Sequence, residues 1–261
     1  MQTKATTVAP ALRALVENLF DYAGTFPPAA LDAQTAVKNY KQYEHDQHAW
    51  MLRYIVVTAA DAEKAPRELD GKLSVLSDRD DPRAGAIEAK AEVKAASKPV
   101  YWEVATNQLE QLDAVKSAGC FAKVRTGAVK AEGIPSVKDV AAFIAACADR
   151  KLAFKATAGL HHPIRAEYPL TYESDAPRAV MHGFLNVMVA SAFAWYGERD
   201  LEPILSETNV HAFVFSDHLD WNGKTLTAAQ VHEAREKFMH AIGSCSFEEP
   251  VTELQQLGLL P

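Results

Sequence analysis

Three strand-like runs in the middle of this chain carry polar side chains toward one face, and helix-length stretches separate them. They are VYWEVA (100–105), FAKVRTG (121–127) and AFKATAG (153–159). Side chains alternate along a strand, so Lys123 and Arg125 share a face, as do Lys155 and Thr157. Glu103 sits on the matching face of its own run, between Trp102 and Val104. Strands joined by helical crossovers pair in parallel, and parallel sheets are covered on both faces. Charge placed inside such a sheet is costly unless it is paired or used, so these positions mark a site.

The same alternation runs from end to end. Strands are expected at 19–24, 52–58, 72–77, 100–105, 121–127, 153–159, 211–217 and 241–247. Helical spacing falls at 9–18, 31–43, from Asp61, at 83–96 (charged and alanine-rich) and at 250–257. Asn107 with Glu110, Ser136 with Asp139 and Thr227 with Gln230 are capping pairs that open three further helices. Another helix starts near His182 (HGFLNVMVASAFAWY). Eight strand–helix units in 261 residues fit an α/β fold, a (β/α)8 barrel formed by one domain over 1–261. The competitor is an open doubly wound sheet. No GxGxxG or GxxxxGK[ST] follows any strand, so that class lacks its usual phosphate-binding marker.

Composition narrows the partners. A net charge of −7 argues against a general nucleic-acid binder. An acidic chain that gathers Lys123, Arg125 and Lys155 on neighbouring strands is expected to recognise a small anion. Cys120, Cys147 and Cys245 are too few and too scattered for a disulfide framework or a zinc knuckle. No apolar stretch has the length of a signal sequence or a membrane span, so a cytoplasmic location without membrane contact is expected. Self-association is compatible with this reading.

One connection is unusually long. Residues 160–181 follow the strand of Lys155 with little helical or strand signal, and in a barrel that end of a strand opens on the active site. Lys155 is the candidate nucleophile or base, because burial near other cations is expected to lower its pKa. Lys123 and Arg125 offer an ammonium and a planar guanidinium for a carboxylate or phosphate. Glu103 is a candidate acid–base group or the counter-charge of the lysines. His161, His162 and His182 lie at the loop and at the following helix start, with Asn186 one turn on. Thr157 and Asp21 line the interior, Asp217 ends the strand at 211–217, and Ser244 in GSCSF (243–247) is placed to cradle a phosphate. Cys245 in that stretch is a nucleophile or a small core residue. An ion-pair network among Lys155, Lys123, Arg125, Glu103 and Asp78 is the structural alternative. No cofactor is expected; a metal held by His161 or His162 with His182, Asp217 and Glu103 is the catalytic alternative. An anion sensor without catalysis is the third reading.

FKATAG resembles the lysine segment on the sixth strand of class I aldolases, most nearly the KTSTG run of deoxyribose-phosphate aldolases. That resemblance implies a Schiff base on Lys155 and a lyase-type reaction. DYAGTFPPA (21–29), FKATAGLHHP (154–163), HGFLNV (182–187) and GSCSFEEP (243–250) together resemble a bacterial protein family. The likeness implies a shared fold and a shared site, and brings no activity with it.

Overall fold

In the computed structural model, which describes residues 7–261, eight parallel strands close into a barrel. In chain order they are β1 (Phe20–Tyr22), β2 (Leu52–Thr58), β3 (Leu73–Leu76), β4 (Ala84–Ala89), β5 (Val100–Glu103), β6 (Phe121–Arg125), β7 (Phe154–Thr157) and β13 (Met239–Ser244). Each pairs with its sequence neighbours, and β13 closes the ring between β7 and β1. Five further short strands lie outside it. Helices pack around the barrel, and aromatic pairs seal the seam. Phe154 meets Phe143 at 5.4 Å and Phe238 at 5.1 Å between ring centroids, both edge to face.

The expected barrel is present, but one of its strands was assigned wrongly. Residues 83–96 are not a surface helix. AGAIEA forms β4, between β3 and β5, with Ser74 opposite Ala86 and Leu76 opposite Glu88. Alanine and glutamate are good helix formers, but propensity is a weak preference, and burial between two strands overrides it. Residues 211–217 are not a barrel strand. A short 3-10 turn (Val210–Ala212) leads into β10 (Val214–Phe215), which pairs with β11 (His218–Trp221) and β12 (Lys224–Thr227) in a small antiparallel sheet outside the barrel. The barrel therefore has eight strands, with 84–89 in the place expected for 211–217.

Caps follow local chemistry. Ser136 with Asp139 and Thr227 with Gln230 form full capping boxes. Asn107 and Glu110 do not: the helix there is Gln111–Ser117, and Glu110 caps it without a side-chain bond. The helix Phe184–Trp195 is apolar all round, and every residue from Phe184 to Ala194 is buried, as expected of a helix without a polar face.

Register places the functional side chains. Lys123 is opposite Lys155, Glu103 opposite Lys123, Arg125 opposite Thr157, and Thr157 opposite Gly243. The inward face is thus stacked in levels along the barrel axis. Beyond the strand ends, Gly127 and Gly159 pack backbone to backbone. A Cβ at Gly127 would lie 2.7 Å from the Gly159 Cα, and Gly159 has φ +71°, so both positions demand glycine. The long segment after β7 is not structureless. It folds into a hairpin, β8 (Ala166–Pro169) with β9 (Arg178–Met181).

Candidate active site

The barrel interior holds a continuous chain of opposite charges. Lys155 is fully buried, and its Nζ donates to Asp21 Oδ2 and to Glu88 Oε1, each at 2.6 Å. Glu88 uses its other oxygen for Lys123 Nζ at 3.2 Å and also accepts from Ser74 Oγ at 2.8 Å. Lys123 continues to Glu103 Oε2 at 2.8 Å. On the other side, Asp21 accepts from the Tyr54 backbone N–H at 3.2 Å and pairs with Arg53 at 3.4 Å. Arg53 reaches the Tyr101 hydroxyl at 3.2 Å, which meets His240 Nδ1 at 3.0 Å. Three carboxylates thus balance three cations across the barrel. Buried charges are tolerable in this form because each finds a counter-ion, and Glu88, Asp21 and Arg53 add further hydrogen bonds.

This balance corrects the expectation for Lys155. Burial alone pushes its pKa down, but Asp21 and Glu88 outweigh that and hold it above the ordinary lysine value. Burial likewise works against the Glu88 carboxylate, yet Lys155 and Lys123 pull its pKa down to about 2. The resting amine is therefore an ammonium. The pairing expected between Lys155 and Glu103 is also redistributed. Lys155 takes Asp21 and Glu88, Lys123 takes Glu103, and Asp78 stays exposed beyond β3.

Above this floor, at the C-terminal ends of the strands, lies a cavity of about 370 Å³. Glu88 and Lys123 form its base, Arg125 and Thr157 its side, and His161 and Cys245 its rim. Phe26, Pro27, Val56 and Leu76 supply apolar wall, and the hairpin adds Leu170 and Met181. Arg125 is exposed and has no carboxylate within ion-pair distance among the described residues. Ser244 also lines the cavity, but its hydroxyl donates to the Ser246 carbonyl at 2.6 Å, which ties down the turn.

The rim carries a thiol–imidazole contact. Cys245 Sγ lies 3.3 Å from His161 Nδ1, and Glu249 Oε2 lies 3.3 Å from the same nitrogen. Tyr172 donates to Glu249 Oε2 at 3.0 Å and sits 3.6 Å from the Cys245 sulfur. Burial disfavours a charged His161, but the contacts to Cys245 and Glu249 push its pKa up to about 10. Its Nε2 is enclosed and has no hydrogen-bond partner.

Other expected site residues are engaged elsewhere. His162 turns toward Glu253, 2.6 Å from Nδ1 to Oε1, and stacks on Tyr168 with centroids 3.6 Å apart. His182 Nε2 donates to the Pro135 carbonyl at 2.8 Å, and burial lowers its pKa, so it is neutral and structural. Asn186 is fully buried. Its Oδ1 accepts from the Arg165 N–H at 2.9 Å, and its amide donates to the Ile204 and Glu207 carbonyls at 2.9 and 2.8 Å. It anchors loops and does not face the cavity. Asp217 is exposed in the outer sheet's turn, away from the cavity lining. The metal set drawn from His182, Asp217 and Glu103 is therefore not brought together. His162, Glu249 and Glu253 do converge within 4.8 Å of one another, where Nδ1 of His162 is engaged by Glu253.

Sequence reasoning missed Glu88, Ser74 and Arg53, and it left Cys245 without a partner. Alternation along β4 would have placed Glu88 inward beside Lys123 once AGAIEA was read as a strand. No local signal joins Cys245 to His161, which lie 84 residues apart. No family model matches the chain, and no curated protein matches it either. Among the described residues, no helix is long and apolar enough to cross a membrane.

Proposed function

We propose that this barrel is an enzyme acting on a small anionic carbonyl compound, a sugar acid or sugar phosphate among them, by lyase-type chemistry with Lys155 as the amine. The observation that carries the reading is the placement of Lys155 Nζ between two carboxylates at 2.6 Å, directly beneath a cavity walled by Lys123 and the unpaired Arg125. Arg125 supplies the fork for the substrate's carboxylate or phosphate, and Thr157 lies opposite it in register.

Amine attack on a carbonyl needs a neutral Nζ, so a proton has to leave Lys155. Asp21 and Glu88 are both within reach to take it. An anion that claims Lys123 removes one of the two cations holding Glu88 ionised, which makes Glu88 a better acceptor at the moment of binding. Access to Nζ also requires Glu88 to swing aside, since it separates the amine from the cavity. The reading calls on no cofactor, and its partner is the substrate alone. The sequence likeness of FKATAG to the class I aldolase lysine segment points the same way.

Reductive trapping tests it. Sodium borohydride with glyoxylate, pyruvate or glyceraldehyde 3-phosphate should add mass to Lys155, located by peptide mass spectrometry, and Lys155→Met should remove the adduct. Adducts confined to Lys123 or surface lysines, or none across the panel, would overturn the role of Lys155. Stabilisation by the same compounds without trapping or turnover would instead support an anion sensor.

A further inference from the structure

We infer that Cys245 is a second nucleophile of the cavity, one that adds reversibly to the carbonyl carbon of a bound anionic aldehyde with His161 as its proton partner. The inference rests on the same anionic carbonyl class but not on any chemistry at Lys155.

A nucleophile, an imidazole in hydrogen-bond reach and a carboxylate behind the imidazole are the parts that activate a thiol. Here they come from three separate elements. Cys245 follows β13, His161 follows β7, and Glu249 lies on the helix Glu248–Gln256. The thiol and the imidazole both line the cavity that holds Arg125 and Lys123. His161 is 4% exposed, and its Nε2 is enclosed and unpartnered, so the ring retains hydrogen-bonding capacity that the protein does not use. All three thiols are buried, but Cys120 and Cys147 do not line this cavity, and burial pushes both of them up, Cys147 the more strongly.

The groups facing the sulfur are His161, Tyr172 and Tyr22, with Glu249 behind the imidazole and Arg125 and Lys123 across the cavity. His161 is protonated at neutral pH, and its Nδ1–H points at both the sulfur and the Glu249 carboxylate. In the addition, a sulfur lone pair forms the C–S bond and the carbonyl π pair moves onto oxygen. The single proton shared by the sulfur and His161 Nδ1 passes to that oxygen, which becomes a hydroxyl, and the imidazole is left neutral. Nothing is oxidised or reduced and no group leaves, so the hemithioacetal reverts to thiol and aldehyde. Such an adduct would hold an aldehyde in the cavity until it is consumed.

Alkylation of the intact protein by iodoacetate and by iodoacetamide, mapped residue by residue, tests this directly. Cys245 should label at least tenfold faster than Cys120 and Cys147 near neutral pH. Iodoacetate, the anion, should gain relative to iodoacetamide, and Arg125→Ala should abolish that gain. His161→Gln and, as a milder variant that keeps the imidazole, Glu249→Gln should each slow Cys245 labelling, with circular dichroism confirming a folded barrel. Equal labelling of all three thiols, or a Cys245 rate unchanged in both variants, would overturn the proposal. Cys245→Ser separates the two readings. If it still traps an imine on Lys155 while glyoxylate protects Cys245 of the parent protein and of Lys155→Met from alkylation, both stand; trapping with a Cys245 that glyoxylate does not protect leaves only the amine.

Discussion

Glu88 serves two ammonium groups with one carboxylate, so its loss should be felt more than that of any surface acid. Glu88→Gln leaves Lys155 and Lys123 short of a counter-ion in a buried site, and breaking such a pair costs about 3–5 kcal/mol. Denaturant unfolding should show that loss. Its pH dependence follows from sign. Glu88 has a folded pKa of about 2 against an ordinary value of 4.5. Its contribution is present above pH 4.5 and is lost as pH falls toward 2, so the variant should show a flatter acid-unfolding profile. His161 runs the other way. Its pKa rises from 6.5 to about 10, so its contribution is complete below pH 6.5 and disappears as pH rises through 10. His161→Gln should remove that alkaline loss, measured as melting temperature between pH 6 and 10. At this scale the sequence showed Lys123, Arg125 and Lys155, because alternation on β6 and β7 is strict, but not Arg53 on β2. It hid the acids that neutralise them, Glu88 inside a segment read as a helix and Asp21 without a named partner. Sequence alternation gives a direction for each side chain; it does not give the counter-charge that fixes a protonation state.

Among the elements, β4 carries the sharpest lesson. AGAIEA has no β-branched run except Ile87, yet it is held between β3 and β5 because its small residues fit a crowded position. A Cβ at Gly85 would overlap the carbonyl oxygen of Gly71 and press on Tyr54. Gly85→Ala should therefore destabilise by about 1–3 kcal/mol, read from denaturant midpoints, although the substitution is favourable in a helix. The residues at 211–217 misled in the opposite sense, since an apolar run bounded by turn residues suits an outer sheet as well as a barrel. Asn186 was placed in the site because it follows His182 by one turn, and its three hydrogen bonds show it tying the β7 loop to Ile204 and Glu207. Asn186→Leu strands an N–H and two carbonyls, at roughly 1–3 kcal/mol for each group left unsatisfied. Its melting temperature should fall steeply while any measured KM for substrate stays near the parent value.

For the molecule as a whole, ring closure was legible and the cavity was not. Repeated strand–helix units leave few topologies, and eight of them close naturally. The cavity depends on side chains from β2, β3, β4, β6, β7 and β13, on the turn at Phe26 and Pro27, and on the hairpin, a convergence that no single window of sequence contains. One cation among these is left without a partner, so anion binding should stabilise the entire fold. Phosphate at a hundred times its dissociation constant should add about 2.7 kcal/mol, seen as a rise in melting temperature, and Arg125→Ala should erase it.

The hairpin after β7 has a consequence of its own. It brings Leu170 and Met181 to the cavity from outside the eight-stranded ring, whereas the ionised floor belongs to the ring itself. Bulk at the entrance and reactivity at the base are thus inherited from different pieces of chain. Trimming either aliphatic side chain would admit longer guests without disturbing the ammonium groups below, leaving selectivity for length free to drift while the chemistry stays fixed.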